Sequence, residues 1–67
     1  MDKITLKAAR VNAGFTISEV SEILHRAPST ISQWESEEST PSITDALKMA
    51  DLYERPIDGI KFKEAMR

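Results

Sequence analysis

The chain has 67 residues, 40% of them hydrophobic and 30% charged, with a formal net charge of −2 and no cysteine. That length buries one modest core, the composition excludes a disordered segment, and the lack of thiols excludes a disulfide framework or a thiolate metal site. No apolar run approaches a membrane span and the start "MDKITLKAAR" lacks the apolar centre of a signal peptide, so a cytoplasmic protein with no membrane partner is expected.

No alternating Val/Ile/Thr run or Asn-Gly turn argues for strands, whereas start and stop signals for short helices recur along the chain. The expected architecture is all-α: a compact bundle of about five short helices forming a single domain over residues 1–67. The first helix is predicted over 4–13, with Leu6, Ala9 and Ala13 on one face and Gly14 as its left-handed stop. In "FTISEV", Thr16 caps a second helix over 16–24, Glu19 completes a capping box, and Phe15 is placed to staple onto Val20. Ile17, Val20, Ile23 and Leu24 fall within an arc of about 120°, which predicts one core-facing stripe.

"HRAP" breaks that helix, and Pro28 suits the first position of a third helix over 28–36, where its missing N–H costs nothing. Ile31 and Trp34, three apart, are the expected apolar anchors, and core packing of Trp34 is preferred to stacking on a base. Ser42 and Asp45 make a second cap for a helix over 43–53 carrying Ala46, Leu47, Ala50 and Tyr53. Pro56 is predicted to open a last helix to about 66 with Ile57, Ile60, Phe62 and Met66, although Gly59 disfavours it. Whether "GIKFKEAMR" packs on the bundle or makes a dimer contact is left open by the sequence.

Charge is unevenly spread. From Ala27 to Leu47 the chain holds Glu35, Glu37, Glu38 and Asp45 and no Lys or Arg, while both flanking segments are slightly basic. His25 is the single histidine, so neither a catalytic triad nor a metal cluster can be assembled around it. An enzyme is not expected, and neither is a cofactor. The second and third helices, joined by a turn of about four residues with the latter polar on its outer side, form a helix-turn-helix arrangement.

The segments "LKAARVNAGFT", "EVSEIL", "STISQWE" and "TPSITDALKMADLY" resemble the lambda-repressor-like, Cro/CI-type helix-turn-helix domains, particularly small phage regulators, over roughly residues 5–55. The resemblance implies an ion pair between Arg10 and Glu35, and core positions at Val20, Leu24, Ile31, Trp34, Ala50 and Tyr53. It places Pro28, Ser29, Thr30, Ser32 and Gln33 on a recognition helix, and Thr16, Ile17 and Ser36 where backbone phosphates are met. Gln33 alone among these carries the bidentate amide suited to adenine.

The chain departs from the family pattern at four places. Ser21 stands where a small apolar residue is usual, His25 replaces the turn glycine, and Ile17 replaces a polar phosphate contact. The loop after the third helix, often basic, reads "ESEEST". Each exposed carboxylate near a phosphate weakens binding by about 0.5–1 kcal/mol at moderate salt. Glu37 and Glu38 read either as a solvated run or as an acidic patch, and Ile17 either as core or as an exposed contact for another protein. Two functions follow as expectations. One is a small phage-type transcription regulator that binds double-stranded operator DNA, possibly as a homodimer, through its third helix. The other is an antirepressor that binds a cognate repressor protein through the same face, its acidic rim standing in for phosphate.

Overall fold

The computed structural model describes residues 3–62. Four helices, α1 (Leu6–Ala13), α2 (Ile17–Leu24), α3 (Pro28–Glu35) and α4 (Ile43–Leu52), are preceded by a short strand β1 (Ile4–Thr5). A single 3-10 turn, Ile57–Gly59, and a second strand, β2 (Ile60–Lys61), follow them.

Side-chain chemistry sets most helix starts. The Thr5 hydroxyl accepts from the Ala8 amide at 3.0 Å, and the Ser42 hydroxyl accepts from the Asp45 amide at 3.2 Å. At α2 the capping box is complete: the Glu19 amide donates to the Thr16 hydroxyl at 3.1 Å and the Thr16 amide to the Glu19 carboxylate at 2.8 Å. Pro28 opens α3 without a side-chain cap. Only α1 ends on glycine, Gly14, at φ 87°. Beyond the other three helices the left-handed residues are His25 (φ 59°), Glu37 (φ 63°) and Glu54 (φ 57°), each in a conformation that costs an L-residue about 1 kcal/mol.

One spacing recurs in the core: i, i+3, i+4, i+7. In α1 it is Leu6, Ala9 and Arg10, all buried, with Ala13 half-buried; in α2, half-buried Ile17 with buried Val20, Ser21 and Leu24; in α4 and its cap, buried Ala46, Met49, Ala50 and Tyr53. From α3, Ile31 and Trp34 complete the centre. Two expected core residues are therefore corrected. Ile23 is 48% and Leu47 50% exposed, because each lies outside that four-residue stripe, and buried Ser21 and Met49 hold the inward positions instead. Phe15 packs against the core that contains Val20 and tilts onto the Tyr53 ring, with centroids 6.2 Å apart.

The predicted fifth helix does not form within the described residues, and Met66 lies outside them. Pro56 is extended (φ −66°, ψ 145°) and accepts the Gly59 amide at 2.8 Å, closing one 3-10 turn. A turn of three residues satisfies the Ile57/Ile60 spacing as well as a helix does. Ile60 then runs extended alongside Ile4 in a parallel pair with register Ile4↔Ile60 and Thr5↔Lys61, which buries Ile60 to 1% exposure. The pair also corrects the expected absence of strands and moves the start of α1 to Leu6. Segments of two residues are too short to display alternation in a sequence.

The strained turn offers a direct measurement. His25→Gly should raise the melting temperature by roughly 3–6 °C, since about 0.5–1 kcal/mol of left-handed strain is relieved in a domain this small. A melt at or below that of the wild type would place the strain elsewhere.

Candidate nucleic-acid interface

Helices α2 and α3 meet across a short turn, His25 to Ala27, in which the Arg26 amide donates to the Ser21 carbonyl at 3.0 Å and the Ile31 amide to the Ala27 carbonyl at 3.2 Å. The turn is also tied to α4, because the Arg26 guanidinium lies 3.0 Å from the buried Asp45 carboxylate. Asp45 thus has two uses: its amide is capped by Ser42, and its carboxylate holds the corner. The sequence reading identified the cap alone. Nothing local in the sequence announces a partner nineteen positions away.

On α3 the inner residues Ile31 and Trp34 are 0% and 7% exposed, which confirms Trp34 as core. Pro28, Ser29, Ser32 and Gln33 are exposed and Thr30 is half-buried, so the helix presents short hydroxyls and one amide outward. Thr16 is exposed, with its oxygen accepting from the Glu19 amide. Ser36 is exposed and donates to the Gln33 carbonyl at 3.3 Å. Ile17 is half-buried: it packs against the core, as the first of the two alternatives has it, and it also lines a surface hollow of about 390 Å³ with Lys7, Arg10, Ser32, Glu35 and Ser36. Lys7 was not singled out by sequence. Its signal was its position three residues before Arg10, which sets it on the side of α1 that faces α3.

The floor of this hollow is the Arg10–Glu35 pair. Arg10 Nε is 2.5 Å from Glu35 Oε2, Nη2 donates to Oε1 at 3.2 Å, and Nη1 donates to the Phe15 carbonyl at 2.9 Å. This two-point geometry uses the planar guanidinium fully. The side chains are 10% and 6% exposed, and the hydrogen bond to Glu35 raises the Arg10 pKa against the opposing effect of burial. Beside the pair, the Tyr53 hydroxyl is buried with no hydrogen-bond partner among the described residues. Burial first, and then the Glu35 charge, push its pKa from 10.0 up to about 12.

Past α3 the backbone curls back on the helix end, where the Glu38 amide donates to the Gln33 carbonyl at 2.9 Å. Glu37 and Glu38 are exposed there. Among the described residues no cluster of three or more His, Asp or Glu is close enough to hold a metal ion, and no helix is long and apolar enough to cross a membrane.

A capped helix, a tethered turn and a second helix with a buried inner and polar outer face define a helix-turn-helix protein. The helix-turn-helix family model matches residues 6–60, and the chain belongs to this lambda-repressor-like, Cro/CI-type family. The family is one of DNA-binding transcription regulators. No curated protein and no solved structure matches the chain.

Two expectations follow from the ion pair and its neighbour. Arg10→Ala should destabilise the fold by about 3 kcal/mol, since it strands a buried carboxylate, whereas Arg10→Met combined with Glu35→Leu should cost much less. Equal losses in thermal melts would show that the pair is not the cause. For Tyr53, the unfolded chain releases the phenolic proton near pH 10 while the folded protein keeps it to about 12, so stability conferred below pH 10 is lost as pH rises through that window. Tyr53→Phe should remove this part of the alkaline loss and leave neutral stability unchanged or higher, because the hydroxyl has no partner among the described residues to lose. Chemical denaturation at pH 7 and across the alkaline range measures both.

Proposed function

We propose that the protein is a single-domain, phage-type transcription regulator that binds operator DNA with α3 in the major groove. The observation that carries this reading is the two-sided character of α3, apolar where it meets the bundle and lined outward by Ser29, Thr30, Ser32 and Gln33. In this pose Gln33 reads an adenine edge through its two-point amide, with Ser29 and Thr30 contributing single hydrogen bonds. Lys7, Thr16 and Ser36 hold the phosphate backbone, and Pro28 and Ile17 make apolar contacts beside them. As a homodimer the protein would span half-sites about 34 Å apart, one helical turn of DNA. Its place of action is then the cytoplasm of a bacterial host.

A second reading keeps the face and changes the partner. The exposed Glu37 and Glu38, and the lack of any Lys or Arg from Ala27 to Leu47, favour an antirepressor that docks on a cognate repressor. Titrating DNA from the neighbouring genomic region into the protein, alone and with the adjacent repressor, separates the two readings. Under the first, the protein alone binds with strong salt dependence, and Gln33→Ala weakens the preferred site by about 1–3 kcal/mol while leaving random DNA unaffected. Binding to the repressor alone, lost on Ile17→Glu, would establish the second instead.

A further inference from the structure

The α3 exit has no basic residue of its own, yet the fold brings lysines to it from both ends of the described chain. A second hollow, of about 450 Å³, is lined by Lys3, Glu37, Lys61 and Phe62. Glu37 directly follows Ser36, which borders the hollow containing Lys7, so consecutive residues after α3 open onto two lysine-bearing depressions. The parallel strands account for the placement. Ile60 turns inward from β2, so its neighbour Lys61 turns outward, and Lys3 immediately precedes β1. Phe62, packed against the core, fixes the residue next to Lys61. Both lysines are exposed, and the ion pairs among the described residues, Arg10–Glu35 and Arg26–Asp45, involve neither.

We infer that Lys3 and Lys61 form a phosphate-binding point for the DNA backbone at the exit of α3, with Glu37 as its built-in competitor. The inference rests on the DNA-binding reading above and supplies the positive charge that reading otherwise lacks in the loop. Geometry supports it. Glu37 stays close to Gln33, because α3 ends at Glu35 and the Glu38 amide turns back to the Gln33 carbonyl, whereas the major groove is about 12 Å wide. With Gln33 on a base edge, the hollow beside Glu37 therefore lies toward the groove wall, where the phosphates are. The two ammonium groups are free to meet one of them. Glu37 lines the same hollow, and its carboxylate charge lowers the local potential until a phosphate takes its place.

The test uses a random-sequence duplex, because phosphate contacts are independent of sequence, and measures affinity of the full chain against salt concentration. Each neutralised phosphate contributes about 0.9 to the slope of log K against log salt. Lys3→Gln combined with Lys61→Gln should reduce the slope by about 0.9 and weaken binding at low salt about tenfold or more, with an unchanged melting temperature. Glu37→Gln, which keeps the backbone demand and removes the charge, should tighten binding by roughly threefold to tenfold. A wild-type chain that ignores DNA at low salt would overturn the DNA-binding reading and this site together. Wild-type binding with an unaltered slope in the double-lysine variant would overturn the site alone, and weaker binding by Glu37→Gln would overturn the competitor role.

Discussion

The bidentate contact between Arg10 and Glu35 is the constraint around which the rest of the molecule is arranged. Arg10 occupies a buried position of the α1 stripe, and Glu35 closes α3 directly after buried Trp34. Two charges at such positions are tolerable only when each finds the other, so the pairing fixes how α3 lies against α1. It also fixes the start of α2, because the third guanidinium contact goes to the Phe15 carbonyl just before the Thr16 cap. The polar face of α3 is consequently aimed by an interaction at its edge, where Ser32 and Glu35 border the same hollow. The second ion pair, Arg26–Asp45, acts similarly on the turn and ties it to α4. Each pair links an element of the helix-turn-helix to a helix outside it.

The stability margin that remains is small. Three helices are followed by a non-glycine residue in the left-handed region, and the buried Tyr53 hydroxyl has no hydrogen-bond partner among the described residues. Such features cost about 1 kcal/mol or more each, a sizeable share of what a chain of this length can hold in reserve. One of the three is Glu37, where glycine would relieve the backbone and remove a negative charge from the loop after α3. Its presence is the clearest conflict in the sequence between local preference and the family's function, and such conflicts concentrate where a protein's specific role is exerted.

Legibility followed the range of the interaction. Caps and stops are local, and Thr16/Glu19, Ser42/Asp45, Pro28 and Gly14 all serve as their residue types require. The core stripes were only partly legible, because counting apolar residues alone picked Ile23 over the buried Ser21 and Leu47 over Met49. Applying the four-residue spacing without regard to polarity finds all of these positions, and it would also have flagged Arg10 as buried. The Arg10–Glu35 pair came from family resemblance rather than from spacing. Arg26–Asp45, the lysines around the α3 exit and the Ile4–Ile60 ladder depend on how distant segments meet, and no periodicity records that.

That ladder closes nearly the whole described chain with two residues on each side. The α2–α3 corner is local and carries its own cap, whereas β1 and β2 are brought together only once the helices between them have been ordered. The ladder is therefore a late closure, and it seats Ile60 in the core. The hollow lined by Lys3 and Lys61 thus depends on the last contact the fold makes, and the outward face of α3 does not.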